Sequence, residues 1–280
     1  MNRSQRTQMA RQTLDIIEQG FYETAAGVRV EVKEPVEYSI AGSKLYAPNQ
    51  LASLVLPTVN DSEDTVFKVV NATTLHAAYQ LLELGSGKVL CLNFASAKNP
   101  GGGFLNGSEA QEESLARSSC LYPTLLHNES YYKKNRACGT SLYTDYMIYS
   151  PDVLVICNDD GELLEDPFTV SFITSPAVNA GAVKRNEPNN VEKITPIQRQ
   201  RMQYLLSVCA HEGYQNVVLG AWGCGVFMND PKHIANLWYQ LLVEDEQFKN
   251  RFNQVVFAVL DRNEHGTCAE FENRFSDVLR

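Results

Sequence analysis

Residues 93–117 read NFASAKNPGGGFLNGSEAQEESLAR, and the fold turns on how they are taken. An apolar run, KVLCLNFA at residues 88–95, leads into them with the look of a buried strand. Three successive glycines follow, Gly101, Gly102 and Gly103. Glycine lets the backbone take positive φ and approach a ligand closely. Adjacent bare N–H groups then form a concave anion site. Beyond the glycines, Gln111, Glu112 and Glu113 open a helix expected to run over residues 112–126. Acidic residues suit a first helical turn in any protein, because the helix dipole favours them. Here they also stand beside an anion-binding loop, where a carboxyl that gives and takes a proton has chemistry to do.

A second glycine loop answers the first. Residues 216–221, NVVLGA, form a short apolar strand, and GAWGCGVFMNDP at residues 220–231 carries the chain into another helix at Asp230 and Pro231. A glycine-rich turn between strand and helix holds diphosphate on its N–H groups. Its spacing is not GxGxxG, and no Lys-Ser/Thr follows as in a P-loop.

Working outward, strand patterns alternate with helix patterns. Ala10, Leu14 and Ile17 share one face of a first helix that Gly20 ends. Residues 27–32 alternate like a strand, and residues 34–57, with three prolines, read as loops and short strands. Residues 65–70 are a strand ending at Asn71, with Thr73 or Thr74 capping a helix that stops near Gly85. Residues 127–145 are polar and tyrosine-rich and read as an irregular surface excursion. Residues 146–150 and 152–158 are two short strands, 168–181 a strand entering a loop, and 184–193 an exposed polar stretch. A helix then starts at Thr195-Pro196 and reaches about residue 212, another runs over residues 230–246, and strand 255–261 precedes a last helix. Apolar strands between helices argue for a three-layer α/β/α sandwich with a mixed central sheet. No repeat or linker divides the 280 residues, so one domain is expected, with residues 1–64 an N-terminal extension packed on the core.

The net charge of −9 is a poor footprint for direct DNA binding, which wants clustered Lys and Arg. It also means that an anionic ligand must be held by local N–H dipoles and not by the overall field. Seven cysteines without a CxxC pair read as small buried hydrophobes in a reducing, intracellular compartment, cytoplasmic or, in a eukaryote, nuclear. The five histidines show no ligand spacing, so neither a metal nor a cofactor is expected. No run of about 18 apolar residues suggests a membrane span.

With its short spacer, GGG followed by QEE resembles the signature of the poly(ADP-ribose) glycohydrolase family, whose fold is the macrodomain. NFASAKNPGGG and GAWGCGVFMNDP look like its bacterial-type branch, and the similarity extends over about residues 6–279. The resemblance implies hydrolysis of the ribose–ribose O-glycosidic bonds of poly(ADP-ribose), acting from the chain terminus and releasing ADP-ribose. It makes Glu113 the catalytic acid and base, and gives Glu112 the placing of the substrate ribose. Gly101, Gly102, Gly103 and Gln111 then line the substrate, and Gly223, Cys224, Gly225, Val226 and Phe227 form the diphosphate loop, with Phe227 against the ribose of the scissile bond. An Asn of the first loop meets a ribose in macrodomains; Asn99 is the candidate here and Ser96 the alternative. Asn71 occupies the place that contacts adenine, where a carboxylate is common. Met228 stands where the family carries glycine. A helix start favours an ionised carboxylate, so Glu113 is expected to hold its proton through negative neighbours, Glu112 and the substrate diphosphate. The same fold also allows a reader of ADP-ribose without catalysis, or a hydrolase of ADP-ribosylated proteins carrying a single unit; the QEE carboxylates argue against the reader.

Overall fold

The computed structural model describes residues 1–58, 64–262 and 266–280; His265 and part of the 1–64 extension lie outside them. In chain order the elements begin with α1 (Arg3–Gln19), β1 (Phe21–Glu23), β2 (Arg29–Glu31), α2 (Lys33–Gly42), β3 (Lys44–Tyr46) and α3 (Pro48–Ala52). Next are β4 (Val66–Val70), α4 (Thr74–Glu83), β5 (Val89–Phe94), α5 (Gln111–Ser118), α6 (Tyr122–His127) and α7 (Ser130–Ala137). They are followed by β6 (Met147–Cys157), β7 (Leu163–Ser175), α8 (Ala180–Asn186) and α9 (Ile194–His211), then β8 (Asn216–Leu219), α10 (Pro231–Tyr239), β9 (Gln254–Ala258) and α11 (Thr267–Phe275).

The main sheet has seven strands in the order β3-β6-β7-β5-β8-β9-β4. From β7 to β4 all pairings are parallel, while β6 and β3 join antiparallel at one side. Alternate residues of β5 serve opposite faces. Leu90 and Leu92 pack with Leu205 of α9, Leu237 of α10 and Phe271 of α11. Val89 and Cys91 pack with Ile16 of α1, Leu81 of α4, Leu115 of α5 and Tyr131 of α7. Two helical layers on one mixed sheet give the three-layer sandwich that the alternation implied.

Several local expectations give way to tertiary forces. Residues 34–57 hold α2 and α3 as well as β3, because Pro35 and Pro48 fall in first helical turns, where the missing N–H costs nothing. The helix expected over residues 112–126 is broken at Ser119. There the chain turns extended and pairs with Val155, and the Cys120 N–H donates to the Leu154 carbonyl at 2.8 Å. β3 covers only the first residues of β6, so this stretch of strand edge takes a partner from the helix break. Residues 127–145 are not a surface excursion throughout: α7 buries Tyr131, Tyr132 and Asn135. The two short strands at 146–158 are one, β6, bent at Asp152 with φ +43. Residues 184–193 continue α8 and then form a 3-10 turn, Pro188–Lys193, which runs into α9 at Ile194, a residue before the expected cap. Past α10, residues Gln240–Glu244 form a π-helical turn.

The N-terminal helix does more than decorate. The Arg3 and Arg6 guanidinium groups donate to the carbonyls of Asn106 and Gly107 at 2.9 and 2.8 Å. Ala10 joins Phe104 and Ala116 in a small apolar cluster. α1 therefore clasps the first glycine loop from behind.

Candidate active site

The parallel strands deliver their following loops to one edge of the sheet, where open α/β sheets bind ligands. Residues 95–103 follow β5 and residues 220–229 follow β8, which is its direct neighbour. Residues 176–181 follow β7 on the other side. Asn71 follows β4 at the far end of the edge.

The first loop is built around two carboxyls. Gly101 and Gly102 have φ of +65 and +58. A Cβ on Gly102 would collide with Glu113 Oε1 and lie 3.2 Å from Glu112 Oε2. The bare N–H of Gly103 donates to Glu113 Oε1 at 2.9 Å. Glu113 is 9 % exposed and Glu112 only 2 %. Glu112 Oε2 accepts from the Ser96 N–H at 2.6 Å, and its Oε1 lies 3.4 Å from Asn93 Nδ2, which also donates to Thr174 Oγ1. Burial drives the Glu112 carboxyl up to about 8; the Ser96 N–H works against that shift, and the neighbouring Glu113 adds to it. Gln111 fixes the helix start: its Oε1 accepts from Phe94 N at 2.8 Å and its Nε2 donates to the Leu92 carbonyl and to Thr74 Oγ1. Its amide thus ends β5 as another strand would.

Ser96 Oγ accepts from the N–H groups of Lys98 and Asn99, so its hydroxyl shapes the turn. Asn99 is exposed on that turn, and its carbonyl accepts from Gly102 N. Asn71 is exposed too, but its amide pairs with the backbone of Asp261 and joins the ends of β4 and β9.

The second loop is held from outside itself. Gly223 has φ +77, and a Cβ there would fall 2.6 Å from the Ala177 methyl. Asn229 Nδ2 donates to the carbonyls of Val178 and Gly223 at 2.8 and 3.1 Å. Gly225 leaves open space where a side chain would stand, and Val226 is 83 % exposed. Phe227 is half-buried against Tyr143, ring centroids 5.8 Å apart. Burial pushes the Cys224 thiol up to about 12, which keeps it protonated and without a nucleophile's role. Among the described residues no cluster of His, Cys, Asp and Glu has the make-up of a metal site.

Sequence reading missed the residues that brace this loop. Arg201 on α9 is fully buried and donates to Asp145 Oδ1 at 2.8 Å, to the Pro176 carbonyl at 2.9 Å and to the Leu142 carbonyl at 3.0 Å. One guanidinium therefore joins the segment behind Phe227 to the loop after β7. A lone Arg inside an apolar helix face was the only sequence signal.

A mixed sheet with a buried carboxyl pair at one glycine loop and a second glycine loop on the next strand is the arrangement that the resemblance to the ADP-ribose-processing hydrolases implied. The model of the microbial-type poly(ADP-ribose) glycohydrolase catalytic domain matches residues 10–158. The structure is similar to that of poly(ADP-ribose) glycohydrolase from Thermomonospora curvata, at 42% identity and a TM-score of 0.93, covering 97% of this chain and 100% of that one. The same enzyme bound to the inhibitor ADP-HPD matches at 42% identity and a TM-score of 0.90, with the same coverage. The Deinococcus radiodurans enzyme in complex with ADP-ribose matches at 39% identity and a TM-score of 0.80, over 88% of this chain and 98% of that one. None of the curated proteins compared with the sequence matches it. The chain belongs to the microbial-type poly(ADP-ribose) glycohydrolases, hydrolases acting on poly(ADP-ribose).

Proposed function

We propose that Glu113 is the acid and base of this hydrolysis, and that the loops after β5 and β8 hold the terminal ADP-ribose unit between them. The observation carrying the assignment is the position of Glu113. Its carboxyl is nearly enclosed, tied at one oxygen to Gly103 N, and packed so closely on Gly102 that any side chain there would collide with it.

The diphosphate rests on the loop of residues 223–227, in which the Cys224 N–H is already given to the Ala221 carbonyl and the glycine N–H groups do the holding, and Phe227 packs against the ribose whose anomeric carbon reacts. Glu113 gives its proton to the leaving ribose hydroxyl oxygen as the C–O bond breaks, through an oxocarbenium-like transition state. The Glu113 carboxylate then takes a proton from water, the water oxygen bonds to the anomeric carbon, and the acid is regenerated. Glu112 positions the loop through Ser96 N–H and is too enclosed to exchange protons with the leaving group. Asn99, on the exposed turn, meets a substrate ribose.

Glu113→Gln is nearly isosteric and cannot supply the proton. Turnover of poly(ADP-ribose) should fall by at least about 100-fold, with ADP-ribose affinity retained. Undiminished turnover removes Glu113 from the role. Turnover of substrates carrying a single ADP-ribose, with none of the polymer, would point to the mono-ADP-ribosyl reading. The size of early products separates terminal from internal cleavage.

A further inference from the structure

Residues 176–181, PAVNAG, stand outside the two glycine loops, yet the second loop rests on them. The Gly181 N–H donates to the Phe227 carbonyl at 3.0 Å. A Cβ on Gly181 would lie 2.8 Å from Met228 Sδ and 3.1 Å from both Met228 Cβ and Cγ. The methionine side chain therefore lies across a bare Cα.

The two backbones make this pairing pointed. Gly181 sits in the first turn of α8 without positive φ, where alanine is the better helix former. Met228 has φ +57, a region that glycine fills without strain and a side chain does not. Each position carries the residue that the other backbone prefers. Propensity alone gives no reason for either choice; the contact between them does.

We propose that Gly181 is a positioning residue for Phe227: its N–H holds the Phe227 carbonyl and its bare Cα seats Met228, so the loop after β7 sets where the aromatic wall of the cleft stands. This rests on the assignment of Phe227 to the substrate ribose. The neighbouring contacts point the same way, because Ala177 abuts Gly223 and the Val178 carbonyl holds Asn229. Met228 is 59 % exposed, so its side chain is kept in place by this seat and not by burial in the core. A methyl group at position 181 would push on Met228 Cβ, an atom fixed to the backbone, and the displacement would reach Phe227 one residue away.

The experiment compares kcat and KM for poly(ADP-ribose), and melting temperature, across Gly181→Ala, Met228→Gly, the double variant and Phe227→Ala. Gly181→Ala should lower kcat/KM about tenfold, on the scale of a small misplacement of a substrate-positioning group. Adding Gly181→Ala to Met228→Gly should cost less than about twofold, since the methyl then meets no side chain; the twofold bound is the reproducibility expected of independent sites. An equal loss in both backgrounds, or no loss in the native one, overturns the proposal. Should Gly181→Ala unfold the chain, Met228→Gly must restore the melting transition, and a double variant that stays unfolded overturns it as well. Phe227→Ala keeps the two readings apart: if it is silent, the role of Phe227 fails. If it is impaired while Gly181→Ala is silent, the seat fails alone.

Discussion

The two glycine loops stand on adjacent strands and are held in opposite ways. Around its carboxyls the loop after β5 is braced from within: Glu112, Glu113 and Gln111, all in one helical turn, reach back to Ser96, Gly103 and Phe94, while α1 clasps the loop from behind through Arg3 and Arg6. The loop after β8 is braced from elsewhere, by Ala177, Val178, Gly181 and, through Tyr143, by Arg201. On the proposed reading, the chemical half of the site is held at its carboxyls by a local motif, and the gripping half is a tertiary product. Proton transfer needs one carboxyl held against one bond. A grip on an extended ligand needs a surface assembled from several segments.

Separate lesions should therefore damage the halves separately. The largest effect is expected at Arg201. Arg201→Ala leaves Asp145 and the carbonyls of Leu142, Tyr143 and Pro176 without their buried donor and should lower stability by about 3–5 kcal/mol, read by denaturant unfolding. In the surviving folded fraction KM should rise more than kcat falls, because the grip loosens while the acid stays. A loss confined to kcat would break the comparison. Gly102→Ala attacks the other half. The added methyl meets Glu113 Oε1 at a backbone with φ +58, and kcat should drop about 100-fold, the loss expected when a catalytic group is misplaced by about 1 Å. ADP-ribose binding, measured by calorimetry, should weaken far less.

The last effect is a pH dependence of stability, which leaves the comparison of the two loops' contributions to turnover untouched. Glu112 is held up to about 8 in the folded chain against 4.5 for the ordinary group. Between those values the folded state keeps a proton that the unfolded state has lost, so this group's contribution to stability is full below about pH 4.5 and declines as pH rises toward 8. The slope is at most about 1.4 kcal/mol per pH unit. Glu112→Gln should remove the decline, so the difference in melting temperature between variant and parent grows in the variant's favour from about pH 5 to about pH 8. A constant difference would mean that Glu112 is ionised throughout and that the loop has no buried acid.

This division also explains what the sequence disclosed. Gly101–Gly103 and Gln111–Glu113 work mostly through neighbours close in the chain, so their spacing announced the candidate site. The glycines of residues 220–225 announced a loop, but nothing near them announced its supports, since residues 141–145, 176–181 and 201 meet only after the sheet forms. Asn71 shows the limit from the other side: the family resemblance pointed to an adenine contact there, and the structure adds a tie that the sequence did not announce, its amide joining β4 to β9. α7 was missed because SYYKKNRA is mostly polar, and its two buried tyrosines look like surface residues until a sheet covers them. The fold class survived such local misreadings because it rests on the apolar strands alone.

The order of the sheet has a last consequence, for assembly. β5, which carries the acid loop, lies between β7 and β8, and both come later in the chain. As the polypeptide leaves the ribosome, its central strand waits with both edges unpaired until β7 is complete at residue 175, and with one edge unpaired until residue 219 has emerged. Contacts so distant in sequence form slowly. A nascent chain already carrying the whole QEE turn is thus a blank, and the protein acquires its cutting power late, when the grip arrives with it.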